Sequence, residues 1–85
     1  MSNEQIYKGL MALRASEPRR YFFLRLREKY DQIVTAYNKK SRSLVDERVS
    51  DLNEWIRSTA SLYGITASDV KQYFVTEQLT LNFKF

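Results

Sequence analysis

Apolar side chains recur along this chain at helical spacing for most of its length and alternate strictly only at its end. Ser2 followed by Gln5 forms a capping box for a first helix that runs to about Leu13. In it Ile6, Tyr7, Leu10, Met11 and Leu13 share one broad face, with Glu4, Lys8 and Arg14 largely elsewhere, so the helix is expected to pack by that face. Gly9 weakens it by about 1 kcal/mol relative to Ala. Ser16, Glu17 and Pro18 are the clearest start signal: a hydroxyl cap, an acid in the first turn, and a Pro where its missing N–H does no harm. Beyond it Phe23, Leu26, Tyr30, Ile33 and Tyr37 form a heptad-like stripe, widened by Phe22 and Val34, on a second helix of about twenty residues. Such a stripe serves as the centre of a bundle or as the seam of a homodimer.

The polar run Asn38 to Arg42 reads as a loop, and Ser43 with Asp46 and Glu47 begins a third helix. Val45, Val49, Leu52, Trp55, Ile56 and Leu62 give that helix its inward face; Ser50 offers a second start that would divide it. Ala60, Gly64 and Val70, with Tyr63, Ile65 and Tyr73 between them, predict a tight helical corner. A small residue lets two helices approach, Gly64 supplies a positive φ, and Val70 fills the crevice. Thr66 caps the following helix, with Asp69 as its acidic partner. From Gln78 onward Leu79, Leu81, Phe83 and Phe85 alternate with Thr80, Asn82 and Lys84, the period of an extended strand. Such a strand must lie across its own bundle, pair with a copy of itself, or add to another protein. The expectation is an all-α chain: a small four-helix bundle over residues 1–77 with a helix-turn-helix-like corner, and an extended C-terminal tail over residues 78–85.

Length and composition bound what this fold can do. Eighty-five residues allow one modest core, and a chain of this size buries only about 60 to 65% of its unfolded surface. With no Cys and no His, disulfides, zinc sites and imidazole chemistry are excluded. The first ten residues hold no apolar run that would serve as a signal peptide or membrane span, so a cytoplasmic protein with no membrane partner is expected. The net charge of +4 is unevenly placed: residues 1–42 carry ten Lys or Arg against four acids, residues 43–85 four against six. A basic half of this kind meets nucleic acid or an acidic protein surface, or is simply solvated.

The candidate phosphate contacts are Arg14, Arg19, Arg20, Arg25, Arg27, Lys29, Lys39, Lys40 and Arg42. This reading requires the arginines to project outward together as one positive wall. Carboxylates of the same molecule holding them, or their dispersal around the chain, would leave an adaptor as the better description. Enzymatic chemistry finds little to work with. Glu47, Asp51 and Glu54 share a helical face, but a hard cation needs more oxygen ligands than one face offers, and Arg48 and Arg57 lie close by. There is no activated nucleophile and no Gly-rich phosphate loop, so no catalytic residue, cofactor or metal is assigned.

Two resemblances sharpen the picture. Residues 56–74, with Ala60, Gly64 and Val70 in place, resemble the helix-turn-helix units of small DNA-binding regulators, whose second helix enters the major groove. The resemblance implies double-stranded DNA as partner, with Ala67, Ser68, Lys71 and Gln72 facing base edges; Ser68, Lys71 and Gln72 are the candidate readers. The charges of that helix are Asp69, Lys71 and Glu77, a net negative balance, whereas groove-binding helices are usually neutral or basic. Gln78, Leu79, Leu81 and Phe83 resemble the peptides by which replication and repair proteins hold the bacterial sliding clamp. Thr80, Leu81, Asn82 and Phe83 are also similar to the clamp-binding tails of late-transcription coactivators of tailed phages, with Asn82 where those tails carry an acid and Phe85 one alternation further. What this implies is a protein-interaction tail of Gln78, Leu79, Leu81, Phe83 and Phe85 that engages a clamp or polymerase component.

Overall fold

In a computed structural model, which describes residues 3–85, the chain folds as a small all-α bundle. Its elements are α1 (Asn3–Ser16), α2 (Pro18–Asn38), α3 (Arg42–Thr59), a 3-10 turn (Ala60–Tyr63) and α4 (Ala67–Thr76). Ser2 of the expected capping box lies outside the described residues. Residue 17 alone separates α1 from α2. Ser16 does not cap α2: its Oγ donates to the Ala12 carbonyl at 2.9 Å, and the Glu17 N–H donates to Leu13 O at 2.7 Å, so α1 runs on past Leu13. Pro18 occupies the first helical position as its ring requires, with Glu17 as a cap that makes no side-chain bond.

Helix α2, about 31 Å long at 1.5 Å per residue, carries the core. Phe22, Leu26 and Ile33 are fully buried, and Tyr30 and Ala36 nearly so, while Phe23 and Tyr37 lie half-buried at the flanks. The stripe is therefore centred on Phe22, not Phe23. The two rings divide their neighbours: Phe22 stacks on Trp55 of α3 at 4.8 Å, and Phe23 stacks on Tyr73 of α4 at 4.6 Å. Helix α3 is continuous through Ser50 and starts two residues earlier than expected, with Ser41 and not Ser43 at its N-cap. Val45 and Leu52 are buried, and Val49, Trp55 and Ile56 pack beside them. Leu62 departs from its expected inward place and is 79% exposed. The cause is the 3-10 turn, which winds more tightly than an α-helix and keeps Ala60 and Tyr63 against the core while Leu62 swings out.

Three helical segments end in the same way. At each, a left-handed residue stands at the helix end, and its N–H and the next one reach back to orphan carbonyls in a Schellman arrangement. At Gly64 (φ 67°) the bonds are Gly64 N–H to Ser61 O and Ile65 N–H to Ala60 O; at Lys40 (φ 57°) they are Lys40 to Tyr37 and Ser41 to Ala36; at Gln78 (φ 56°) Gln78 to Val75 and Leu79 to Phe74. Only the first uses Gly.

The expected capping box at α4 is complete: Asp69 N–H donates to Thr66 Oγ1 at 3.1 Å and Thr66 N–H to the Asp69 carboxylate at 3.0 Å. Val70, Tyr73 and Phe74 then lay α4 on the core, with Phe74 edge-on to Tyr30 at 6.3 Å. Past Gln78 the chain forms no strand. Of the three fates open to an alternating segment, it takes the first: Leu81 and Phe83 pack against the core, and Phe83 lies 6.3 Å from Tyr30 and 5.1 Å from Tyr37.

Helix α1 behaves differently from its expectation. None of its residues from Gln5 to Ser16 is buried; Ile6 and Tyr7 are 46% and 62% exposed, and Leu10, Met11 and Leu13 are half-buried. The radius of gyration, 13.9 Å, exceeds the roughly 12 Å of a compact chain of this length, consistent with a helix standing off a smaller bundle.

Candidate functional site

The cations of α2 do not form one wall. Arg20 holds Glu17, the N-cap of α2, at 3.4 Å, Arg25 holds Glu28 at 2.6 Å, and Arg27 holds Asp31 at 3.3 Å, each partner three or four residues away. Arg19 reaches across to Asp69 of α4 at 3.4 Å. Exposed pairs of this kind stabilise by only about 0.3 to 0.5 kcal/mol, but each sets a negative charge beside the guanidinium a phosphate would need. The directions also diverge. At about 100° per residue, Arg25 and Lys29 lie on one side of α2 and Arg20 and Arg27 on the other. Lys29 sits over Trp55 at 5.3 Å and Arg14 over Tyr63 at 6.0 Å, so both spread their stems along aromatic faces.

Two titrations follow from these contacts. The Asp69 carboxyl is held below its ordinary range, chiefly by the Thr66 backbone N–H, then by the Thr66 side chain and Arg19. For Arg27, partial burial works against the charge, but Asp31 and the Tyr73 hydroxyl outweigh it and raise its pKa.

A second group of cations lies at the far end of α2. Lys39 and Lys40 form the turn into α3, Arg42 opens α3, and Lys84 of the tail arrives beside them. None of these four is in an ion pair among the described residues. Arg42 lies over the Phe85 ring at 5.5 Å. Lys84 is missing from the phosphate set read from the sequence, where the alternation marks it only as a polar position of the tail.

The corner has the conformation its residues predict: Gly64 left-handed, Ala60 buried, Val70 against the core. Ser68, Lys71 and Gln72 share one exposed face of α4, and Gln72 donates to Thr76 Oγ1 at 3.3 Å. Glu47, Asp51 and Glu54 are exposed along α3, and among the described residues no acidic group gathers that would hold a metal ion.

The tail's candidate contacts are divided. Leu81 and Phe83 face the bundle, Leu79 is half-buried, and Gln78 and Phe85 are exposed, Phe85 by 54%. Two tyrosines fix its path: Thr80 N–H donates to Tyr30 Oη at 3.3 Å, and Tyr37 Oη donates to the Lys84 carbonyl at 2.7 Å. Sequence reasoning placed both tyrosines in the apolar stripe and missed this role; the signal was that Tyr, not Phe, stands at each position, since a buried or half-buried hydroxyl seeks a partner.

Comparison with known protein families, curated proteins and solved structures gives no match. Among the described residues no helix is long and apolar enough to cross a membrane.

Proposed function

We propose that the protein is a non-enzymatic adaptor that captures a component of a replication or transcription machine through its C-terminal tail. One observation carries this reading: residues 79–85 lie over the bundle with no main-chain ladder, held by two tyrosine hydroxyls and ring contacts. An extended segment of that kind transfers to a partner's groove without unfolding a helix, and its alternate side chains supply specificity there. The division of the α2 arginines among carboxylates weighs in the same direction. The likeness of Thr80 to Phe83 to the tails of tailed-phage late-transcription coactivators gives the concrete form: a phage-encoded adaptor for a sliding clamp or polymerase component. The test is capture on an immobilised bacterial sliding clamp by the full chain, by the chain lacking residues 78–85, and by Leu81→Ala and Phe83→Ala, with circular dichroism of each. Capture by the full chain alone, with helicity retained in the variants, supports the reading; capture that survives the truncation, or none by the full chain, refutes it.

A second reading is favoured by the unpaired cations at the α2–α3 turn. In it the protein is a nucleic-acid-associated regulator in which Lys39, Lys40, Arg42 and Lys84 contact phosphate and α4 is the candidate reader of duplex DNA. Four phosphate contacts give a slope of about −3.6 in log affinity against log salt. A duplex shift assay at low salt that shows no binding, or binding indifferent to salt, removes this reading.

A further inference from the structure

At the unpaired end of α2 a cleft of about 540 Å³ opens between Tyr37, Asn38, Lys40, Lys84 and Phe85. Its volume is that of a small-molecule site. Its chemistry has two halves. Lys40 and Lys84 present ammonium groups, Arg42 stands at the rim over Phe85, and no carboxylate side chain is among the lining residues. Tyr37 and Phe85, 5.2 Å apart and nearly perpendicular, provide aromatic surface, and more than half of Phe85 is open to solvent. Asn38 adds an amide that both donates and accepts. Lys40 also sits in a left-handed conformation at a helix end where Gly carries no penalty.

We propose that this cleft binds a nucleoside phosphate, the lysines taking the phosphate and the rings the base. A bare inorganic anion leaves the rings unused, and a neutral aromatic leaves the ammonium groups unused; a nucleotide answers both. Stacking on the part of the Phe85 ring that Arg42 leaves uncovered is indifferent to base identity, and Asn38 supplies the one polar contact at the base or sugar. Free nucleotide and the phosphorylated end of a single strand share this chemistry. The inference goes beyond the adaptor reading and does not depend on it: a failed clamp capture leaves the cleft as it is.

The experiment is calorimetric titration of the full chain with adenosine monophosphate, adenosine, inorganic phosphate and a terminally phosphorylated oligothymidine. Adenosine monophosphate should bind at least about tenfold more tightly than adenosine or phosphate alone, and Lys40→Gln and Lys84→Gln should each weaken it about tenfold. Arg57→Gln, exposed in the last turn of α3, should leave it unchanged, and Phe85→Leu should bring the nucleotide down toward inorganic phosphate. Tighter binding of the oligothymidine than of the mononucleotide assigns the site to a strand end; equal or weaker binding assigns it to free nucleotide. Adenosine monophosphate binding no tighter than phosphate, or binding indifferent to both lysine substitutions in chains of unchanged helicity, overturns the proposal.

Discussion

Replacing Tyr37 by Phe isolates the hold of the bundle on its tail. The substitution keeps the ring, and with it the contacts to Phe83 at 5.1 Å and Phe85 at 5.2 Å, and deletes only the hydroxyl that donates to the Lys84 carbonyl at 2.7 Å. That carbonyl lies near the surface and regains water, so the loss is the net worth of one exposed hydrogen bond, about 1 kcal/mol. Whatever the population of chains with the tail lifted, it rises by about fivefold, because the common terms cancel in the ratio. Native-state hydrogen exchange reads this at the tail amide that bonds to the bundle: Thr80 N–H, held by Tyr30 Oη, should exchange about fivefold faster while the amides at the centre of α2 stay unchanged. A partner that takes the tail should bind more tightly by up to the same factor, since its apparent affinity is scaled by the fraction of competent chains. Unchanged exchange in the tail, or acceleration spread equally through α2, refutes the idea that this hydroxyl secures a separately opening segment. Weaker capture of a clamp by Tyr37→Phe would place the closed tail, not the lifted one, in the complex.

Other outcomes follow from the helix ends. Gly64→Ala meets no atom within 4 Å, so its effect is backbone strain at φ 67° alone; a loss of about 1 kcal/mol in denaturant unfolding is expected. Lys40→Gly relieves the same strain at φ 57° and should gain a few tenths of a kcal/mol; a lower melting temperature would contradict it. Asp69→Asn tests the α4 cap through pH. The depressed carboxyl contributes stability above its unfolded pKa near 3.8 and loses it as pH falls through the lower folded value. The melting curves of the two proteins should therefore converge in acid, and a gap that persists there counts against the charge of Asp69 as its source.

The punctuation of the fold was legible because it is local. Pro18, Gly64 and the Thr66 and Asp69 pair act within four residues of themselves, and all four stand where their chemistry places them. Ser16 misled because a hydroxyl has two local uses, capping the next helix or bonding back to its own, and here the second is taken. The core phase of α2 slipped by one residue because Phe22 and Phe23 are equivalent in pattern, and only Trp55 and Tyr73 decide which ring goes where. The ion pairs of Arg20, Arg25 and Arg27 were open to reading from their spacing, whereas Arg19 with Asp69, fifty residues apart, required the fold. Alternation in the tail marks Leu81 and Phe83, which turn inward, but also Phe85, which stays 54% exposed, and it says nothing of a ladder, since a coil laid on a helical surface has the same two sides.

Helix α1 leaves the bundle at Pro18 with no side chain from Gln5 to Ser16 buried in the interior. It is a stalk of about 21 Å at 1.5 Å per residue, and engineering can treat it as one. A fluorophore or carrier protein joined ahead of it sits clear of the core, so immobilisation by this end offers the tail and its tyrosine fastenings to whatever is passed over the surface.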